Sequence, residues 1–130
     1  MEASSAHVFI VEDDQLLATA LSTQVEMLGY RIAGMASTGE DAVRGVLQSR
    51  PQVVIMDVRL HGRMTGLDAA RSIRRDLEVP IIFYTAHGAD SALKREVATM
   101  GNAQLLLKPA QEKTLLAALA GMLRWSRQGA

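Results

Sequence analysis

Residues 51–57 read Pro-Gln-Val-Val-Ile-Met-Asp, and this stretch decides the fold. Pro51 precedes four consecutive apolar residues, Val53–Met56, with none of the polar alternation of a strand that is wet on one face. A run of that kind belongs inside a parallel sheet covered by helices on both sides. It stops at a carboxylate, Asp57.

Working back toward the N-terminus, Val43, Val46 and Leu47 recur at helical spacing behind Thr38, which with Asp41 resembles a capping box. A short run, Tyr30–Met35, precedes it. Before that comes a helix from about Gln15 to Leu28, with Leu17, Leu21, Val25 and Leu28 on one stripe and Gly29 as its stop. The first apolar run is His7–Val11. Toward the C-terminus, Thr65 and Asp68 open a helix carrying Leu67, Ala70, Ile73 and Leu77. Pro80 leads into a strand, Ile81–Tyr84. Asp90 caps a helix with Leu93, Val97 and Met100 inward, closed by Gly101. A fifth strand, Leu105–Leu107, ends at Lys108-Pro109, and the last helix runs from about Gln111 to Trp125.

Five strands alternating with five helices imply right-handed crossovers and an α/β, doubly wound parallel sheet. Strands three, four and five are expected to be buried on both faces. The 130 residues are the size of one domain, with a core over about 6–125. Only five residues follow Trp125, too few for an output unit, so a stand-alone domain is expected.

Composition narrows the function. With 14 basic and 14 acidic residues the chain lacks the basic field that nucleic-acid binding needs. It has no cysteine, no signal-like leader and no uncharged stretch long enough for a membrane span. A cytoplasmic location is the expectation.

In a doubly wound sheet, function gathers at the carboxyl ends of the strands. There the chain places Glu12, Asp13 and Asp14, then Asp57, Thr85 and Lys108. Close carboxylates repel, by about 4 kcal/mol for a pair 4 Å apart at an effective dielectric near 20. A hard divalent cation such as Mg²⁺ is the natural compensator. Lys108, one of only three lysines, is the one placed to add a point charge. Taken singly these residues are bland: Asp14 reads equally well as a helix cap, and Thr85 as an ordinary loop hydroxyl. Their joint occurrence at successive strand ends is not.

The set IVEDD, VVIMD, FYTA and LLLKP resembles the receiver domain of bacterial two-component response regulators, over about residues 6–125. That resemblance implies a flavodoxin-like, CheY-like fold with strand order 2-1-3-4-5. It implies a phosphoacceptor switch rather than a conventional enzyme, with Asp57 as phosphoacceptor. Mg²⁺ would be held by Asp13, Glu12, Asp57 and the backbone carbonyl of Arg59. Thr85 would be the switch hydroxyl, Lys108 the partner of the phosphoryl group, and the small Ala86 would leave room for it. Arg59 and His87 occupy positions that tune hydrolysis. The implied donor is a sensor histidine kinase or a histidine phosphotransfer protein, and output would run through an unknown protein partner. The alternative role is a phosphorelay shuttle or phosphate sink.

Three features depart from the family pattern. The loop after Asp57 reads VRLHGRMTG, with His61 where proline is usual, and is one residue longer before Gly66 than the commonest form. Leu105 replaces the usual aromatic switch residue. The third lies in the identities of Arg59 and His87. Competing folds fit less well: a flavodoxin needs a Ser/Thr/Gly-rich phosphate loop after strand one, and a haloacid-dehalogenase phosphatase needs Asp-x-Asp there. A nuclease or primase pattern fails because Val58 and Arg59 follow Asp57.

The last helix carries an expectation of its own. Leu115, Leu116, Leu119, Met122 and Leu123 form the inward stripe, while Thr114, Ala118, Gly121 and Trp125 form a second, outward one. Leu105 would extend this second patch. A homodimer or target contact through Ala118 and Trp125 is the expectation.

Overall fold

The computed structural model describes residues 6–86 and 90–129, with side chains as far as Arg124; His87 and the side chain of Trp125 lie outside the described residues. Five parallel strands form one sheet in the order β2-β1-β3-β4-β5. They are β1 (His7–Val11), β2 (Arg31–Ala36), β3 (Val53–Met56), β4 (Ile81–Thr85) and β5 (Ala103–Leu107). Between and after them run α1 (Gln15–Met27), α2 (Gly39–Ser49), α3 (Gly66–Asp76), α4 (Ser91–Met100) and α5 (Glu112–Gly129). No helix among the described residues is long and apolar enough to cross a membrane.

Strand alternation divides the core in two. Phe9, Val11, Val54, Met56, Ile81 and Phe83 face α2, α3 and α4, whereas Val8, Ile10, Val53, Ile55, Ile82 and Tyr84 face α1 and α5. Strands β3 and β4 are buried throughout, as continuous apolar runs should be. Strand β5 is not: it lies at the sheet edge, and only Leu106 is buried.

Helix phases differ from the expected stripes in two places. In α1 the buried residues are Ala18, Leu21 and Val25, while Leu16 and Leu17 face solvent. In α5 Leu115, Ala118, Leu119 and Leu123 are buried and Leu116 is exposed. Ala118 therefore belongs to the core and cannot line an outward contact. Leu105 is half-buried against the α2–α4 face, so it does not extend a surface on α5 either. The expected contact through the last helix therefore loses Ala118, and its other anchor, the Trp125 side chain, lies outside the described residues.

The caps are as the sequence reads them, with one refinement. Asp14 caps α1 by accepting from the Leu16 and Leu17 amides at 2.9 and 3.1 Å. Thr65 and Asp68 form a complete capping box on α3. On α2 only half of the box exists: Thr38 accepts from the Asp41 amide, but the Asp41 carboxylate pairs with Arg44. Helix α1 ends in a Schellman arrangement. The Gly29 amide reaches the Glu26 carbonyl and the Tyr30 amide the Val25 carbonyl, with Gly29 at φ 101°.

At the amino-terminal edge of the sheet, the Arg74 guanidinium spans two loops. It donates to the carbonyls of Val79 at 2.6 Å, Asn102 at 2.7 Å and Met100 at 3.5 Å. Burial pulls this guanidinium below its ordinary pKa, against the charge of Glu78.

Candidate functional site

Sheet hydrogen bonding continues past the strands and fixes the backbone of the site. The Glu12 amide donates to the Ala36 carbonyl, the Asp57 amide to Val11 and the Lys108 amide to Thr85, all at 2.9–3.0 Å. Residues far apart in sequence are thus held at one rim by strand register, at the crossover where the order reverses between β1 and β3. Gly66, at the start of α3, presses on the same point. Its amide donates to the Val58 carbonyl at 2.7 Å, and a Cβ there would stand 2.1 Å from the Asp57 carbonyl oxygen.

Glu12, Asp13 and Asp57 each offer a carboxylate oxygen, and these lie within 4.8 Å of one another. Glu12 is 5% exposed and Asp57 9%. The Lys108 ammonium lies between them, 2.8 Å from Asp57 Oδ2 and hydrogen-bonded to Glu12 Oε1. The other oxygens are occupied too: Glu12 Oε2 accepts from the Asp14 amide at 3.1 Å, and Asp57 Oδ1 from the Arg59 amide at 3.2 Å.

Burial raises the Glu12 pKa more than Lys108 and the Asp14 amide lower it, so it stands above the ordinary glutamate value. For Lys108, burial works against the charged form. The hydrogen bonds and charges of Asp57 and Glu12 outweigh it, and its pKa is raised. The ammonium also sits 5.8 Å from the centre of the Tyr84 ring, whose hydroxyl accepts from the Ala110 amide at 2.8 Å. Tyr84 thereby steadies both Lys108 and the turn into α5, a role the sequence reading did not assign. Alternation along β4 already put Tyr84 on the α1/α5 face, which was the available signal.

Thr85 is almost fully buried at the end of β4, and Ala86 beside it is exposed. The Arg59 side chain points to solvent. His61 was noted only as a departure from a family pattern, yet its Nδ1 stands 3.3 Å from Asp13 Oδ2. The donor set of three carboxylates is that of a hard divalent cation, and the Lys108 ammonium already lies where positive charge is needed. Chemically, the arrangement offers a buried carboxylate nucleophile beside a fixed cation and a metal-compatible acid cluster.

Comparison with known proteins points the same way. Residues 8–120 match the family described as response regulator receiver domain. The transcriptional regulatory protein AfsQ1 of Streptomyces coelicolor is 33% identical over 117 residues, covering 90% of this chain and 51% of that protein. The signal receiver domain of a modulated diguanylate cyclase from Desulfovibrio desulfuricans G20 superposes with a TM-score of 0.86 at 31% identity, covering 97% of this chain and 99% of that one. The anti-anti-sigma factor PhyR of Bartonella quintana gives 0.77 at 27% identity, over 96% of this chain and 50% of that one. The chain spans about half or less of the length of the curated relatives it matches.

Proposed function

Because this chain belongs to the response regulator receiver domain family, we propose that it is a signalling switch phosphorylated on Asp57. The observation that carries this reading is the Lys108 ammonium 2.8 Å from Asp57 Oδ2, in a rim of three carboxylates. In the proposed reaction an Asp57 oxygen attacks the phosphorus of a phosphohistidine. The new O–P bond replaces the N–P bond, and the imidazole leaves on the donor protein.

Catalysis here is positioning and charge compensation, since the transition state spreads charge over the peripheral phosphoryl oxygens. Bound by Glu12, Asp13 and Asp57, Mg²⁺ would supply positive charge to those oxygens. Lys108, hydrogen-bonded to Asp57 and Glu12, would add its own charge and afterwards pair with the phosphoryl group. Thr85 lies on the neighbouring strand, where its hydroxyl can turn toward the new dianion and draw the loops after β4 and β5 with it. Likeness to the anti-anti-sigma factor PhyR supports output through protein binding. Leu105, which lacks the aromatic ring usual at its position, favours the second reading, a phosphorelay shuttle with little conformational output.

Incubation with acetyl phosphate and Mg²⁺ is expected to add one phosphoryl group, mapped to Asp57 by intact-mass and peptide analysis. Asp57→Asn should abolish it; undiminished labelling of that variant would end the proposal. Return of the phosphoryl group to a histidine phosphotransfer protein, without state-dependent binding of another target, would select the shuttle.

Metal linkage gives an independent check. Mg²⁺ at ten times its Kd should stabilise the fold by about 1.4 kcal/mol. Asp13→Ala should erase that gain while raising the metal-free melting temperature by a few degrees, as carboxylate repulsion is relieved. Thermal unfolding in chelator and in millimolar Mg²⁺ measures both. A wild type that melts identically in the two contradicts the metal site.

A further inference from the structure

We propose that Tyr84 is a positioning residue for the phosphorylation of Asp57, its ring and hydroxyl holding the Lys108 ammonium where the incoming phosphoryl group needs it. The inference rests on the phosphorylation proposed above and concerns what keeps Lys108 in place while it happens.

Tyr84 lies next to the end of β4 and pairs in register with Leu106 of β5. From there its side chain reaches forward past Lys108 and Pro109, and its hydroxyl accepts from the Ala110 amide at 2.8 Å. The Lys108 amide donates to the Thr85 carbonyl at 2.9 Å. The segment that carries Lys108 is thus fastened to two consecutive residues of β4, one through backbone and one through a side chain. The centre of the Tyr84 ring stands 5.8 Å from the ammonium, inside the ~6 Å range of a cation–π contact.

Such fastening matters because Lys108 has somewhere else to go. Beside it lies a cavity of about 160 Å³, walled by Leu17, Ala20, Leu21 and Gln24 of α1 together with Tyr84 and Pro109. A lysine stem is flexible enough to swing into such a space. At the rim the ammonium is held by Glu12 Oε1 and Asp57 Oδ2, and the second of these holds changes when Asp57 takes up a phosphoryl group. The Tyr84 ring attracts the ammonium from outside the acidic rim, and the reaction leaves it unaltered.

Magnitudes separate the two handles. The Ala110 hydrogen bond and a cation–π contact near its outer range are each worth a factor of about three. Tyr84→Phe keeps the ring and gives up the Ala110 anchor, whereas Tyr84→Leu gives up both.

The test is the rate of Asp57 labelling by acetyl phosphate at saturating Mg²⁺, with each Tyr84 variant made in the wild type and in Lys108→Met. Labelling is expected to slow about threefold in Tyr84→Phe and about tenfold in Tyr84→Leu. Neither change should slow it further once residue 108 is methionine, because Tyr84 acts through that ammonium. Mg²⁺ affinity should stay within twofold throughout. Equal slowing in the two backgrounds overturns the inference, since Tyr84 would then serve the fold alone. Labelling at the wild-type rate in both variants overturns it too, as does a fall in Mg²⁺ affinity that parallels the fall in rate. Should Tyr84→Leu fail to fold, Tyr84→Phe, which keeps the apolar packing, decides by the same comparison. A wild type that takes no label overturns the phosphorylation itself, and this inference with it.

Discussion

Lys108→Met is expected to slow phosphorylation of Asp57 by about a hundredfold, the usual cost of removing one preorganised charge from a phosphoryl-type transition state. Methionine keeps much of the length of the aliphatic stem, so the change isolates the ammonium and its approach to the Tyr84 ring. The same substitution leaves two nearly buried carboxylates, Glu12 and Asp57, without the cation that joins them. Removing one partner of such a pair costs about 3 kcal/mol. The metal-free variant should unfold at correspondingly lower denaturant, and Mg²⁺ should recover part of the loss. Labelling kinetics with acetyl phosphate and urea unfolding in chelator separate the two effects. A variant labelled at the wild-type rate would remove Lys108 from the chemistry, whatever its stability.

The second large effect is expected at Gly66. A methyl group there would meet the Asp57 carbonyl oxygen at 2.1 Å, the Val58 Cα at 2.9 Å and the Asp57 carbonyl carbon at 3.0 Å. All three are backbone atoms and none can rotate aside. Gly66→Ala must therefore push α3 away from the end of β3, with an expected loss of about 3 kcal/mol, or about 10 °C in Tm for a domain of this size. Because the displaced backbone carries Asp57, the labelling rate should fall as well. Gly121→Ala is the control: its nearest neighbour would be Arg124 Nη2 at 3.9 Å, so helix propensity alone should make it neutral or slightly stabilising. Equal melting temperatures for the two variants would contradict the close approach.

These expectations draw on residues of unequal legibility. Val53–Met56 and Asp57 were readable because an unbroken apolar run ending in a carboxylate has few other uses in a chain of this length. Asp14, Thr65 and Asp90 were readable because capping is local chemistry, settled within four residues. In α1 and α5 the centre of each stripe was readable (Leu21 and Val25; Leu115, Leu119 and Leu123), but its edge was not. Leu16 and Leu17, or Leu115 and Leu116, are adjacent apolar residues, so two stripes fit the same periodicity. Which one turns inward depends on where the helix lies on the sheet, and in both helices an alanine, Ala18 or Ala118, takes a buried position that a hydrophobicity pattern undervalues. Strand β5 misled for a related reason: its residues are apolar enough for a central strand, and only the topology reveals that one flank has no neighbour. The approach of His61 to Asp13 was hidden because it depends on the path of a loop, which has no periodicity to read.

The Arg74 clamp has a mechanical consequence. Its three acceptors are the carbonyls of Val79, Met100 and Asn102, which lie just before β4, at the end of α4 and just before β5. One guanidinium therefore ties these elements together at the foot of the sheet, and the acidic rim lies at the opposite ends of the strands. If phosphorylation of Asp57 displaces the backbone near Thr85 or Lys108, as proposed above, a tilt about Arg74 is the expected form of the movement, and it would grow with distance from that clamp. Helix α4 has 10 residues and is tethered through Met100. It spans about 15 Å, so a tilt of about 5° carries its first turn roughly 1.3 Å while its last turn stays put. Such a movement would be largest at the Asp90 end of α4.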